Sequence, residues 1–243
     1  MIENLDDYLI GVSLGIRFRA NFSIEDQLGT IADTILYSPD SYFDSEIFPK
    51  VITQPGAKIL INDITQDYIN IDNSNFILEI NFGDKFSFRK DDISEIIFNF
   101  EKQIIKGLLK ELSIKQIRRI GFVKRYVFGI ETLANSFVDK TVGETLGGVN
   151  DINLNFSKKI PLQEALIKKD VLDYDNAIFN VIKRADRNEI FMSIDYQAYY
   201  DPFLPSTGMI DFKSFIDRAD IFNSKKYLTW LNNNYMELTD GKE

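Results

Sequence analysis

Residues 117–128 read IRRIGFVKRYVF, and their alternation leads to the first expectation about the fold. Successive side chains of an extended chain point to opposite faces, so alternating apolar and polar residues predict a strand with one buried face. The residues expected on that buried face are Ile120, Phe122, Tyr126 and Phe128. Arg119 and Arg125 point to the other side of the same strand, with Val123 between them.

The same alternation occurs near the beginning of the chain. There Val12, Leu14, Ile16 and Phe18 alternate with Ser13, Gly15, Arg17 and Arg19. This pattern predicts a second strand with one solvated face. A helix is expected directly after it, with Ser23 as the N-cap residue and Pro39 beyond its end.

The order of predicted elements then repeats. Strands are predicted at residues 58–64, 68–72 and 75–82, and again at 152–156, 177–183 and 189–200. Long helices are predicted from Asp92, where Glu95 completes a capping-box pattern, and from Asp211. A weaker helical pattern covers residues 132–146. Each half thus contains a strand, a helix, three strands and a long helix.

This order predicts an α+β protein with two similar halves, residues 1–114 and 115–243. Each half is expected to form a mostly antiparallel sheet with a long helix packed on one face. Internal duplication explains the similarity, and so does coincidence, because hairpins followed by a helix are common. The two halves can equally form one continuous domain.

The chain of 243 residues contains no histidine and no cysteine. Serine–histidine and cysteine–histidine hydrolysis, zinc sites, iron–sulfur clusters and disulfides are therefore excluded. Carboxylates, lysines, tyrosines and hydroxyls remain for chemistry, but their spacing does not single out a catalytic set. The sequence accordingly predicts no catalytic residues, no metal site and no cofactor, and it argues against an enzyme.

The net charge of -9 makes nucleic acid an unfavourable partner, because non-specific binding to phosphates requires clustered Lys and Arg. No apolar run approaches the roughly 20 residues that cross a bilayer. The segment Met1–Asp7 is acidic where a secretory signal would be basic. These features predict a cytoplasmic protein without a membrane partner.

Three short motifs resemble those of a sporadically distributed prokaryotic family of uncharacterised proteins of similar length. They are IRRIGF at 117–122, the predicted hairpin at 68–82, and IFMSIDY at 190–196 before the last helix. Val123 and Lys124 stand where the family usually has Arg and Tyr, and Arg125–Tyr126 restores that pair two residues later. The resemblance implies this architecture and a prokaryotic intracellular origin, and it implies no reaction.

Four arginines are the first candidate site. Arg17, Arg19, Arg119 and Arg125 occupy the solvated sides of two strands, and they converge if those strands are neighbours. Converging guanidiniums bind phosphate or carboxylate well. The alternative is that they form ordinary cross-strand pairs with acids such as Glu79 or Asp195.

Aromatic residues beside prolines are the second candidate site. Tyr199, Tyr200 and Phe203 adjoin Pro202 and Pro205, where the last predicted strand ends and a connector begins. Exposed aromatic side chains of this kind anchor protein interfaces. They can equally cover the end of the sheet as part of the core.

Two groups of acids are weaker candidates. Asp170, Asp173 and Asp175 are expected in a solvated turn, because their spacing matches no calcium loop. Glu131 and Asp195 could act as an acid and base pair only if folding brings them together.

Two functions follow from these patterns. The first is a non-catalytic intracellular binding or regulatory protein that acts through protein–protein contacts or self-association. The patchy distribution of the similar family suggests, by analogy of context, a prokaryotic accessory or defence-related system. The second is a domain that binds a small anion or nucleotide in a pocket lined by the four arginines.

Overall fold

The computed structural model describes residues 2–82, 92–129, 151–160, 174–184 and 186–235. The helix predicted at 132–146, Glu131, Asp170 and Asp173 lie outside these residues. The described part of the chain is an α+β protein with one large antiparallel sheet and a few helices.

The sheet has nine strands in the order β2-β3-β4-β5-β1-β6-β9-β8-β7. The strands are β1 (Leu9–Phe18), β2 (Lys50–Gln54), β3 (Ala57–Ile61), β4 (Tyr68–Asp72), β5 (Asn75–Asn81), β6 (Ile117–Phe128), β7 (Ile152–Ile160), β8 (Tyr174–Lys183) and β9 (Ile190–Leu204). Every neighbouring pair is antiparallel. The class predicted from the sequence, α+β with antiparallel strands, is confirmed.

The two strands with the clearest alternation lie side by side at the centre. Gly15 of β1 lies opposite Gly121 of β6, and Arg17 lies opposite Arg119. The predicted boundaries of β6 and β4 agree with the structure. Because β1 belongs to the first half of the chain and β6 to the second, one continuous sheet joins residues 1–114 to residues 115–243.

Strand β2 was not predicted from the sequence. Four of its five residues are exposed, so it carries no alternation of apolar and polar positions. The turn into β3 is formed by Pro55 and Gly56, and Gly56 has a φ of 73°. A proline followed by a glycine with positive φ is typical of a type II turn.

The helices account for most of the remaining regular structure. Their bounds are α1 (Ser23–Tyr37), α2 (Ile93–Asn99), α3 (Leu109–Glu111), α4 (Phe212–Ile221) and α5 (Leu228–Tyr235). A π-helical segment, Phe100–Leu108, joins α2 to α3, and a second, Phe222–Tyr227, joins α4 to α5.

The helix caps agree with the sequence in part. Asp211 caps α4 as predicted, because its side chain accepts a hydrogen bond from the Ser214 amide. Asp92 occupies the N-cap position of α2 but forms no side-chain cap bond. Ser23 was predicted as a cap and is instead the first residue of α1. The side chain of Asn21 accepts from the Ser23 amide and takes the capping role there.

One face of the sheet is the core. Phe76 on β5 packs on Phe100 of the first π-helical segment, with ring centroids 6.0 Å apart, and Phe100 packs on Phe212 of α4 at 5.7 Å. On β9, Tyr196 packs on Phe215 and Phe222. The long helical stretches thus contact strands from both halves of the chain.

The prediction that Asp175 lies in a solvated turn is wrong. Asp175 belongs to β8 and is completely buried. It accepts hydrogen bonds from Arg218 at 2.6 and 3.2 Å and from the Tyr196 hydroxyl at 2.8 Å. An isolated buried carboxylate would be too costly, so these two partners make the position possible.

None of the helices in the described ranges combines the length and the hydropathy required to cross a membrane.

Candidate functional site

A row of polar and aromatic side chains crosses the face of the sheet opposite the core, which we call the polar face. Strand register places Asn75, Arg17, Arg119, Tyr199 and Tyr174 side by side across five neighbouring strands. The rings of Tyr174 and Tyr199 stack with centroids 4.8 Å apart. The Lys159 ammonium lies 3.8 Å from the centroid of the Tyr174 ring.

Next to this row, Gly15 and Gly121 leave the backbone of the sheet uncovered by side chains. A cavity of about 140 Å³ lies over Gly15 and Gly121, and we call it the glycine trough. Its walls include Asn75, Ile77, Arg17, Arg119, Asp195 and Gln197. Adding a Cβ atom at Gly15 would give only ordinary contacts, 3.7 and 3.8 Å from the nearest atoms. The fold therefore does not require glycine at this position.

Arg119 is held in place by Tyr199. Its Nη1 donates to the Tyr199 hydroxyl at 3.3 Å, and its guanidinium lies 5.7 Å from the centroid of that ring. The Tyr199 hydroxyl donates in turn to Gln197 Oε1 at 2.8 Å, and Gln197 Nε2 donates to the Asp195 carboxylate. This chain of contacts leads from the arginine row to the wall of the glycine trough.

Arg17 is exposed at the same level of the sheet. Within the described ranges no carboxylate forms an ion pair with Arg17 or with Arg119. The two guanidiniums are on adjacent strands in direct register, so their charges add at the edge of the trough. This is a site that attracts an anion, since opposite charge and guanidinium donors both favour one there.

Burial raises the pKa of Asp195, the acid in the wall of the trough. The hydrogen bond from Gln197 and the charge of Arg119 act in the opposite direction and offset part of this effect. Ionised Asp195 is thus less well solvated in the folded protein than in the unfolded chain. The folded protein retains a costly carboxylate beside the two arginines.

We expect Asp195→Asn to raise the melting temperature at pH 7. A raised pKa means that the folded state binds more protons than the unfolded state between the two pKa values, so stability falls as pH rises through that window. Asparagine removes the charge and can still accept from Gln197. Thermal unfolding at pH 7 and pH 4 measures the effect, which should shrink at the lower pH. Asp186→Asn, in an exposed turn, is the control, and a less stable Asp195→Asn at pH 7 would contradict the expectation.

Arg125 lies elsewhere on the polar face and is already paired. It forms an ion pair with Glu79 at 3.0 Å and donates to Ser13 Oγ at 2.7 Å. Tyr68 donates to the same Glu79 oxygen at 2.9 Å, and burial together with the Glu79 charge raises the pKa of Tyr68 to about 12. Gly11 leaves room for this arginine, because a Cβ there would lie 2.5 Å from its Nη2.

The four predicted arginines are therefore not one cluster. Arg17 and Arg119 come together at the trough, Arg125 forms the cross-strand pair with Glu79 that the sequence offered as the alternative, and Arg19 donates to Gln116 at 2.9 Å. Of the four, Arg17 and Arg119 are in direct register and line the same cavity.

The predicted aromatic connector is the last part of strand β9. Its three aromatic residues have different surroundings. Tyr199 is on the polar face beside Arg119, Tyr200 is only 8% exposed and lies in the core, and Phe203 is 41% exposed. Tyr199 and Phe203 are accessible to a partner, whereas Tyr200 is not.

Sequence reasoning missed Gln197, Tyr174 and Lys159 as parts of this surface. The period-2 pattern of β9 places Gln197 on the same side as Asp195, and this signal was present in the sequence. Tyr174 and Lys159 could not be found in this way, because their position beside Tyr199 depends on the pairing of β7, β8 and β9.

No group of three or more acidic side chains in the described part of the chain is arranged to hold a metal ion. Comparison with protein-family models gives no match, and comparison with curated proteins gives none. The candidate site is therefore defined by its geometry alone.

Proposed function

We propose that this protein is a non-catalytic intracellular binding protein that holds an acidic segment of a protein partner over the glycine trough. The observation that carries the proposal is the direct register of Arg17 and Arg119 beside bare glycine backbone at the centre of the sheet. A carboxylate side chain of the partner would bind between the two guanidiniums, and the partner's backbone would lie along the trough.

The glycines support close approach of a partner. Glycine inside a strand weakens the strand, and it often marks a place where a ligand or another backbone comes near. Gly15 has space for a Cβ atom, so packing of this chain does not explain it. Contact with a partner does explain it, because a methyl group there would fill the floor of the trough.

The charges of the polar face support an acidic partner. Glu79 is neutralised by Arg125, and Asp72 accepts hydrogen bonds from Ser74 and Asn75. Arg17 and Arg119 form no ion pair in the described ranges, and Asp195 is the one carboxylate in the wall of the trough, so the two guanidiniums leave an excess of positive charge there. Arginine and tyrosine are also the residue types that most often dominate the energy of protein interfaces.

The size of the trough supports one anionic group and not a nucleotide. Its volume of about 140 Å³ is well below the roughly 300 Å³ at which pockets for small molecules begin. The small-anion alternative is therefore restricted to a free phosphate or carboxylate. The breadth of the polar and aromatic row favours a partner that covers several strands.

We also propose that the sheet arose by internal duplication. Strand β1 pairs with β5 and strand β6 pairs with β9, so each half places its first strand beside its last. This arrangement supports internal duplication. Ring contacts of both long helical stretches fall on the core face, which supports helices on one side and a binding surface on the other. We propose that the protein acts in the cytoplasm of a prokaryote, in a regulatory or defence-related accessory system.

The test is binding of a fluorescent hexaglutamate peptide, measured by anisotropy with hexaglutamine as the uncharged comparison. We expect Arg17→Ala and Arg119→Ala each to weaken binding about 10- to 150-fold, because a charge-assisted hydrogen bond contributes about 1.5–3 kcal/mol. Gly15→Ala should fold normally and also bind less well. Binding should weaken as salt is added.

Arg118→Ala is the matched control, because Arg118 is an exposed arginine of the same strand that does not line the trough. Equal losses of peptide binding in Arg118→Ala and Arg119→Ala would show that net charge alone explains the binding, and they would overturn the proposal. Stronger competition by free phosphate than by the peptide would favour the small-anion alternative.

A further inference from the structure

A second cavity, on the core side of the sheet, has a different chemistry. It has a volume of about 340 Å³ and lies between the first residues of the chain, the start of α2 and the second π-helical segment. Lys124 and Tyr126 of β6 line it together with Asp6, Asp220 and Asn223, and we call it the Lys124 cavity. It shares no lining residue with the glycine trough.

Two buried polar side chains of this cavity are unsatisfied. Asn223 is 3% exposed, and neither its amide nitrogen nor its amide oxygen has a hydrogen-bond partner in the described structure. The hydroxyl of Tyr126, which is 1% exposed, has none either. Burying such groups without partners is costly, and native proteins contain few of them.

Lys124 occupies a position that packing alone would give to an apolar residue. It lies between Phe122 and Tyr126 on the core face of β6, and its side chain is only 8% exposed. Its ammonium is 3.3 Å from Asp6 and 3.2 Å from Asp220. The side chains of Asp6 and Asp220 are each 48% exposed, so the buried charge is that of Lys124. Burying a lysine ammonium is costly, and packing alone does not explain it.

The local helix geometry also points to a binding site. Asn223 belongs to the π-helical segment Phe222–Tyr227. π-helical turns are rare, they weaken regular backbone hydrogen bonding, and they occur frequently at functional sites. Here the wider turn places the Asn223 amide in the wall of the cavity, among Ser224, Leu228 and Asp220.

The charges of the lining select the ligand. Glu3, Asp6 and Asp220 provide three carboxylates against the single ammonium of Lys124. Burial raises the pKa of Tyr126, and the nearby charges of Asp6 and Asp220 act in the same direction. An anion would be repelled, whereas an organic cation would be attracted. Ile93, Ile97, Leu5 and Leu228 add apolar walls that suit an alkyl chain.

We propose that the Lys124 cavity binds a small aliphatic amine. Its ammonium group is held by Asp220 and Asp6 and donates to the amide oxygen of Asn223, and its alkyl chain lies against Ile97 and Leu228. A volume of about 340 Å³ is at the lower end of the range for small-molecule pockets, which fits a short diamine whose second ammonium group is held by Glu3.

The test is calorimetric titration and thermal unfolding of the full chain with 1,4-diaminobutane, with 1,4-butanediol and glutarate as the neutral and anionic comparisons. We expect a saturable rise in melting temperature with the diamine only. Asp220→Asn should weaken binding of the diamine at least tenfold. Asn223→Leu, which fills the cavity with an apolar side chain, should abolish the rise in melting temperature. Asn223→Leu is expected to fold well because it removes an unsatisfied amide.

Asp217→Asn is the matched control for Asp220→Asn, since Asp217 is exposed on the same helix, α4, and does not line the cavity. It should bind the diamine like the unaltered protein. Absence of a response to the diamine, a stronger response to glutarate, or an unchanged response in Asn223→Leu would each overturn the proposal. Arg119→Ala should leave the response intact, so this result is independent of the acidic-partner hypothesis.

Discussion

Replacing Arg218 with methionine is expected to lower the free energy of unfolding by about 3–5 kcal/mol, the usual cost of breaking a buried ion pair. Arg218 donates to both oxygens of Asp175, which is completely buried in β8. Methionine removes both donors and leaves the Asp175 carboxylate with the Tyr196 hydroxyl as its one remaining partner among those identified. Urea unfolding at pH 7 measures the loss.

A double variant tests this explanation. Asp175→Asn combined with Arg218→Met should recover part of the stability. Arg118→Met, at an exposed arginine, should change stability by less than about 0.5 kcal/mol.

Replacing Phe100 with alanine is the second change with a large expected effect, about 3–5 kcal/mol for a fully buried phenylalanine. Phe100 is completely buried between Phe76 of β5 and Phe212 of α4. Alanine would leave a cavity where the first half of the chain meets the last helical stretch. Phe98→Ala is the matched control, because Phe98 belongs to the preceding helix and is 58% exposed.

The shape of the unfolding transition of Phe100→Ala tests whether the two halves of the chain unfold together. One sheet runs through both halves of the chain, and Phe100 connects elements from each. We therefore expect the variant and the unaltered protein to unfold in one cooperative transition, with fluorescence and circular dichroism giving the same midpoint. Separate midpoints for the two probes would show that residues 1–114 and 115–243 unfold as independent units.

Much of the secondary structure was predictable because alternation is a local property. The bounds of β4 and β6 followed from period-2 patterns, and the Asp211 cap followed from a short polar side chain before an apolar helix. Strand β2 and the end of β9 were missed for the same reason. Exposed residues and prolines carry no such pattern, although both segments pair with a neighbouring strand.

The candidate sites were predictable only in part. Lys124 interrupts the apolar face of β6, and this interruption was a signal for the Lys124 cavity that the sequence contained. The partners of Lys124 are Asp6, in the 3₁₀ turn Leu5–Tyr8, and Asp220 of α4, more than 90 residues away in each direction. No local pattern connects residues at such separations.

The amino-acid sequence by itself determined which face of each alternating strand is apolar, because a side chain's direction along a strand depends only on its place in the alternation. Only the tertiary structure decided that β1 lies beside β6, that Arg17 faces Arg119, and that Arg125 pairs with Glu79. Strand order and register are set by backbone pairing between distant segments and by the burial of a shared core, and a shift of one residue would change every cross-strand neighbour.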